Sequence, residues 1–264
     1  MNTVESDRVP ERERRYSTDP VKVTDLVCFW DFQEPAGVPR RASGNFPAML
    51  REGAGPIRRV EGGLFGKYCA ELSLGQYFFV PNAECSGLNL HRELTMVAWI
   101  QRHRKAEIQC EAIAGMWNET HAQRQYALFL DLRIHGASDN VGGHISSTGG
   151  PTPGQAWCME AAIGSAQVGY SRWHSAALSY NGREAMVYLD GHLDVRPGLN
   201  PFVGPRLHLH RGTSDFTVGA VHRLGEMGNW FCGRLGGLAV YSRALSGDEI
   251  RSVSLVGGGG SLAE

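Results

Sequence analysis

The segment from 125 to 134 has the polar and aromatic side chains best suited to binding a polar ligand. Successive side chains of a β-strand point to opposite faces, so alternate residues here should share a face. One face would carry Gln125, Ala127, Phe129, Asp131 and Arg133, and the other Tyr126, Leu128, Leu130, Leu132 and Ile134. Rings stack on sugar C–H groups, while amide, carboxylate and guanidinium groups bond hydroxyls. The mixed face therefore predicts carbohydrate binding, with an ordinary solvated strand face as the alternative.

A single histidine is expected to join that face. In the run Gly-Gly-His-Ile-Ser at 142–146, Ile145 should face the core, so His144 and Ser146 should point with the polar side chains. Imidazole titrates near neutral pH, which suits a general base in β-elimination from a polysaccharide. A hydrogen-bonded surface histidine is the alternative.

Tryptophans near loops could provide a stacking platform. Trp117 and Asn118 end a predicted strand, which suits either a sugar platform at a rim or a core position for the indole. Trp157 and Trp230 also lie near loops. The complete predicted carbohydrate-binding set is Trp117, Asn118, Arg124, Gln125, Asp131, Arg133 and His144.

These residues must be positioned by strands, because short apolar runs alternate with turn signals along the chain. The 34 glycines indicate many tight turns. The run at 94–101 is apolar throughout, as in a strand buried on both faces. Asn181-Gly182 predicts a hairpin, and a second is predicted around Gly75. Ser246 and Glu249 form a capping box that opens a short helix.

About a dozen predicted strands and one helix indicate an all-β, two-sheet antiparallel sandwich. We expect a mobile N-terminal arm at 1–20, one domain at 21–256, and a flexible tail at 257–264 that looks like a linker or cloning scar.

Composition argues against several classes of partner. The net charge is −1, so no overall positive field attracts nucleic acid or anionic membranes. The N-terminus lacks the apolar core of a signal peptide, which predicts a cytoplasmic protein, or an extracellular or periplasmic one if a leader has been removed. Six cysteines show no Cys-x-x-Cys pair and are expected to be mostly reduced. His208 and His210 could chelate a metal, but no third ligand is identifiable.

Six ordered segments resemble the laminin-G-like jelly-roll domain of the concanavalin A-like lectin/glucanase superfamily. Leu-Thr-Met-Val-Ala-Trp-Ile at 94–100 is similar to the family's F-T-V-S-A-W-V strand, and Val-Tyr-Leu-Asp-Gly at 187–191 to its L-Y-V-D-G. The others lie at 63–66, 172–182, 216–219 and 231–246. The resemblance implies a jelly-roll sandwich. It implies less about function, because this fold includes lectins, adhesion modules, glycosidases and polysaccharide lyases.

The resemblance also has an implication for metal binding, and the sequence departs from the family's pattern at several places. Calcium is common in the family, and Asp139, Asn140, Asp190 and Asp215 could contribute ligands, although no D-x-D-x-D-G loop is present. Gly236-Gly237 stands where the family has Asp-Asp. The E-x-D-x-x-E strand of jelly-roll glucanases is absent, and the segment 111–170 matches no generic module, so any particular function is expected there.

Three functional hypotheses remain open. The first is recognition of a polysaccharide or oligosaccharide through the polar and aromatic face. The second is a polysaccharide lyase, with His144 as the base and Arg133 or Arg124 neutralising a uronate carboxylate. The third is a protein-interaction or assembly domain.

Overall fold

A computed structural model describes residues 17–204 and 208–255, so most of the predicted arm and the whole predicted tail lie outside the described residues. It contains two β-sheets packed face to face, the predicted antiparallel jelly-roll sandwich. Almost every strand pairing is antiparallel; the strand Val221–Arg223 pairs in parallel with the strand Glu111–Asn118. The strands are β1 Leu26–Trp30, β2 Arg40–Arg41, β3 Met49–Glu52, β4 Arg58–Glu61, β5 Tyr68–Leu72, β6 Phe78–Val80, β7 Leu94–Arg102, β8 Glu111–Asn118, β9 Gln123–Leu130, β10 Asn140–Ile145, β11 Ala161–Gln167, β12 Trp173–Tyr180, β13 Glu184–Leu189, β14 His192–Leu193, β15 Phe202–Val203, β16 Phe216–Val218, β17 Val221–Arg223, β18 Glu226–Gly228 and β19 Gly233–Tyr241.

The nine-stranded sheet has the order β14-β13-β12-β7-β19-β5-β4, with β1 paired to β19 and β15 to β13. The ten-stranded sheet has the order β11-β10-β9-β8-β16-β6-β3-β2, with the β17–β18 hairpin joined to β8. The connections cross repeatedly between the two sheets, so strands that are distant in the sequence become neighbours.

One apolar core fills the space between the sheets. Alternate residues of β7 and β9 point into it, including Ile100 and Leu128. Trp30 of one sheet stacks on Phe216 of the other, with ring centroids 5.7 Å apart. The prediction that 94–101 is buried on both faces is confirmed, because Trp99 faces away from this core and is still buried.

A buried ion pair also joins the two sheets. Arg102 ends β7 in the nine-stranded sheet, and Glu111 begins β8 in the ten-stranded sheet. The guanidinium donates to both carboxylate oxygens of Glu111, at 2.9 and 3.0 Å. A third bond from Arg102 reaches Asp139, so the pair also ties the loop after β9 to the end of β7.

The outer face of the nine-stranded sheet is covered by apolar side chains. Phe65 packs edge-on against Phe29 and Trp99, with centroids 4.9 and 4.8 Å away. A Cβ atom at Gly237 would lie 2.6 Å from the Phe65 ring. Glycine in place of the family's aspartate therefore leaves room for this aromatic cover.

The single α-helix of the described residues, α1 (Gly247–Ser254), lies over the same face. Both halves of the predicted capping box are present, with Glu249 N–H donating to Ser246 Oγ and Ser246 N–H donating to Glu249 Oε2. Thr18 N–H donates to the carbonyl of Ser252, so the described end of the predicted arm packs against α1.

Removing this cap should weaken α1. We expect Ser246→Ala to lower the free energy of unfolding by about 1 kcal/mol, because the first turn loses a hydrogen-bond acceptor. Urea denaturation measures the change. Ser73→Ala, at an exposed turn where the backbone N–H rather than the side chain makes the bond, should have almost no effect. Equal losses in both variants would contradict a capping role.

The structure corrects two predictions about strands. Strands β5 and β6 flank Gly75 but belong to different sheets, so the predicted hairpin is wrong and the turn is a crossover. The strand predicted to reach residue 134 ends at Leu130, because Asp131 and Arg133 adopt positive φ angles of 50° and 56°. The Asn181-Gly182 hairpin is confirmed by the β12–β13 pairing.

Candidate functional site

A cavity of about 270 Å³ opens on the outer face of the ten-stranded sheet. We call it the outer-face cavity. The sheet forms its floor, and segments 108–110, 132–134 and 157–158 and the β17–β18 hairpin form its walls. Its lining residues are Ile108, Gln109, Cys110, Trp117, Glu119, Phe129, Leu132, Arg133, Ile134, His144, Trp157, Cys158, Arg223 and Asn229.

The floor is aromatic. Trp117, Phe129 and His144 come from the adjacent strands β8, β9 and β10. The rings of Trp117 and His144 stack with centroids 4.7 Å apart, and Phe129 meets His144 edge-on at 5.5 Å. All three residues are buried. Strand alternation places them opposite the inter-sheet core, as predicted for Phe129 and His144.

His144 is a neutral hydrogen-bonding group in this setting. Its Nδ1 lies 3.2 Å from the backbone carbonyl of Glu160, which can only accept, so Nδ1 carries the proton and Nε2 the lone pair. Burial, with a further contribution from the charge of Arg124, lowers the pKa of His144 to about 4. A general base works best with a pKa near the working pH, so at neutral pH this imidazole is a weak base. Its catalytic role stays a prediction.

Trp117 is a floor residue rather than a rim platform. Its side chain is 1 % exposed, and Nε1 donates to Glu119 Oε1 at 3.1 Å. Asn118 lies at the end of β8, where its side chain accepts from the N–H of His121 and does not line the cavity. Of the three tryptophans considered from the sequence, Trp157 is the one at the cavity mouth, 43 % exposed.

Two predicted ligand-binding residues are instead committed to internal bonds. Gln125 is fully buried, and its amide donates to Asn89 Oδ1 and to the carbonyl of Leu90. Arg124 is 5 % exposed and donates to the carbonyl of Gly149. The expectation that Gln125 lies on an open face is wrong, because the segment containing residues 89 and 90 covers it.

Asp131 and Arg133 lie in the loop after β9 and not on a strand face. Asp131 is 5 % exposed, and its Oδ2 accepts from Arg133 Nη2 at 2.8 Å and Nε at 3.1 Å. Arg133 lines the cavity with its charge paired in this way. The same loop brings Leu132 and Ile134 onto the outer face, whereas the sequence pattern assigned them to the core between the sheets.

Several lining residues were missed by the sequence reasoning. Arg223 comes from the β17–β18 hairpin, about a hundred residues beyond the strands that it faces, and no local motif marks it. Cys110 and Cys158 also line the cavity, and burial raises the pKa of each thiol to about 11. Both are therefore protonated at neutral pH and unsuited to nucleophilic catalysis.

The carboxylates considered for calcium already have partners within the protein. Asp139 binds Arg102 and the hydroxyl of Tyr170, and Asp190 accepts from the backbone of Ser175 and contacts His174. The two histidines considered for a metal also diverge: the ring of His208 packs on His91, and His210 contacts Gln123.

Within residues 17–204 and 208–255, no group of three or more His, Cys, Asp or Glu side chains is arranged to hold a metal ion. Calcium binding stays a prediction. Over the same residues, no helix has the length and apolar character needed to cross a membrane.

The chain belongs to the concanavalin A-like lectin/glucanases superfamily, because the Laminin_G_3 family model matches residues 75–251. No curated protein sequence matches it.

Solved structures share its fold at low identity. Domain 4 of AbnA, a GH43 extracellular arabinanase from Geobacillus stearothermophilus solved with arabinotriose, is 14 % identical with a TM-score of 0.60, covering 87 % of this chain and 98 % of that domain. Trypanosoma rangeli sialidase is 16 % identical with a TM-score of 0.59, over 89 % of this chain and 33 % of the sialidase. A chain from a study of botulinum neurotoxin type C entry through ganglioside interaction is 10 % identical with a TM-score of 0.59, over 87 % and 50 % of the two chains. These likenesses show the fold alone.

Proposed function

We propose that this protein binds carbohydrate in the outer-face cavity. The observation that carries the proposal is the exposed indole of Trp157 at the mouth of a cavity whose floor is the Trp117–His144 ring stack. Exposed aromatic rings beside polar groups suit the two kinds of surface on a sugar ring, its C–H faces and its hydroxyl edges. The solved neighbours named above include proteins that bind or act on carbohydrate, which supports the same class of ligand.

The size and polarity of the cavity suit a short saccharide. Its volume of about 270 Å³ is just below the roughly 300–1,000 Å³ typical of drug-sized ligand sites. A cavity of this size has room for one sugar ring and part of the next. The lone pair at His144 Nε2 can accept from a hydroxyl, and the Asn229 amide and the guanidinium groups of Arg133 and Arg223 supply polar contacts.

Trp157→Ala tests the proposal. A broad array of neutral and acidic oligosaccharides would identify a ligand, and titration calorimetry would measure its affinity for each variant. We expect Trp157→Ala to weaken binding at least about tenfold, since truncating an aromatic anchor costs about 2 kcal/mol and 1.4 kcal/mol is a factor of ten.

Trp173→Ala is the matched control, because Trp173 is a half-buried tryptophan on the nine-stranded sheet. It should bind as the unaltered protein does. Absence of binding to any glycan on the array, or equal affinities for the two variants, would contradict the proposal.

One observation favours the protein-interaction alternative. Ile108 is 78 % exposed at the edge of the outer-face cavity, and exposed apolar side chains beside a cavity also occur at protein interfaces. A defined oligomer in light scattering that dissociates in an Ile108→Asp variant, together with no glycan binding, would favour this alternative.

A further inference from the structure

Among the described residues, Arg223 is a cation without a counter-charge in the wall of the outer-face cavity. Within the part of the chain that the structure describes, no carboxylate oxygen lies within 4 Å of its guanidinium, whereas Arg133 is paired with Asp131. Nη1 donates to the amide oxygen of Asn229 at 2.6 Å. Its Nε is buried and has no hydrogen-bond partner among the described residues. A half-buried charge with an unused donor is costly unless something compensates it.

The other charged groups of the cavity are already satisfied. Glu119 accepts from the indole N–H of Trp117, and its second oxygen lies 3.9 Å from Arg124. Arg133 donates twice to one oxygen of Asp131. Of the described residues that line the cavity, Arg223 is therefore the cation left unpaired, which favours a ligand with a negative group.

The Arg223 side chain is held in place before any ligand arrives. The guanidinium carbon lies 5.6 Å from the ring centroid of Trp157, the exposed platform at the mouth. A Cβ atom at Gly228 would lie 2.9 Å from Arg223 Cδ, so glycine allows the stem to cross the β17–β18 hairpin. The bond to Asn229 fixes the other end. A ligand ring stacked on Trp157 would thus have its substituents beside the guanidinium.

We propose that the bound carbohydrate is acidic, and that Arg223 binds the carboxylate of a uronic acid residue whose ring lies against Trp157. The inference rests on the proposed carbohydrate-binding function and adds the ligand class to it. Arginine suits this role because its planar fork of donors matches a carboxylate.

The test compares acidic oligosaccharides with their methyl esters, which keep the sugar ring and remove the charge. Hexamers of galacturonate, mannuronate and glucuronate, each in both forms, would be titrated against the full chain and against Arg223→Gln. We expect at least one acid to bind about tenfold or more tighter than its ester. Arg223→Gln should reduce binding of the acid to about the level of the ester and weaken binding of the ester much less, because the charge-assisted contact made only by the acid is the larger loss.

Two further variants act as controls. Arg59→Gln removes an arginine that also stacks on an aromatic ring, that of Tyr68, on the nine-stranded sheet, and should leave the preference for the acid intact. Arg223→Lys keeps the charge without the fork and should retain part of the preference. A melting temperature for Arg223→Gln close to that of the unaltered protein would show that the variant folds.

The results separate this inference from the proposed function. Equal affinities for acid and ester, or an acid preference unchanged in Arg223→Gln, would overturn the inference and leave the cavity as a site for neutral glycans. If the protein binds neutral oligosaccharides but no acidic ones, and this binding is lost in Trp157→Ala, the inference is likewise overturned while the proposed function stands. No binding of any oligosaccharide would overturn both.

Discussion

Arg102→Met is expected to lower the free energy of unfolding by about 3–5 kcal/mol, the usual cost of removing one partner from a buried ion pair. The side chains of Arg102 and Glu111 are 1 % and 3 % exposed. Methionine leaves the Glu111 carboxylate buried, with Lys105 Nζ 3.6 Å away as its nearest described cation. It also removes the bond to Asp139 and the contact of the guanidinium with the ring of Tyr170. The loss is large because the Glu111 carboxylate stays buried without its bidentate partner.

Urea denaturation would measure the change, with an exposed ion pair as the control. Arg51 and Glu84 are both 47 % exposed, and Glu84→Gln should cost less than about 1 kcal/mol because water screens such pairs. The double variant Arg102→Met/Glu111→Leu should recover part of the loss, since it removes the buried Glu111 carboxylate that the single variant leaves without its main partner. A loss below 1 kcal/mol in Arg102→Met would contradict the proposed role of the pair.

The second large effect is a loss of stability in mild acid caused by His144. Its pKa is about 4 in the folded protein, against an ordinary value of 6.5. Between pH 6.5 and pH 4, His144 is protonated in the unfolded chain but not in the folded protein. Proton uptake therefore favours the unfolded chain, and this group lowers the free energy of unfolding as pH falls through this range. At 1.36 kcal/mol per pH unit, the change approaches about 3 kcal/mol. Well above pH 6.5 the imidazole is neutral in both states, and its titration adds no pH dependence to stability.

His144→Phe isolates this contribution. Phenylalanine preserves an aromatic ring against Trp117, and the Glu160 carbonyl still accepts from the N–H of Ile145. Stability measured from pH 7 to pH 4 should fall less steeply in this variant. Arginine partners lower the pKa values of the Asp139 and Glu249 carboxyls. Protonation of these carboxyls at low pH destabilises both proteins by the same amount, so their contribution cancels in the comparison.

His192→Phe is the matched control, because His192 is exposed. Its pH profile should follow that of the unaltered protein. Parallel profiles for His144→Phe and the unaltered protein would show that His144 is not a buried neutral group, and would weaken the description of the cavity floor.

Local signals were sufficient for much of the fold. The apolar run of β7, the Asn181-Gly182 turn and the Ser246–Glu249 capping box each depend on residues a few positions apart. Period-two alternation placed Leu128 in the core and Phe129 on the outer face. Such features are readable in the sequence because neighbouring residues interact with one another in any fold that contains them.

The same patterns failed where distant segments intervene. The alternation after Leu130 continues in the sequence, but positive φ angles at Asp131 and Arg133 turn the chain, and Leu132 packs on the outer face. The turn at Gly75 resembles that of a hairpin, yet its two strands pair with β19 and β16 in opposite sheets. Gln125 is covered by a segment more than 30 residues earlier.

The sequence by itself determined the class of fold, several of the strands that build it and the position of His144 on the outer face. The tertiary structure decided which polar groups remain available to a ligand. Arg124, Gln125 and Asp131 are used internally, while Arg223 and Trp157 converge at the cavity mouth from segments 66 residues apart. The physical reason is that availability depends on what covers a side chain and what pairs its charge, and both are contacts between segments distant in the chain.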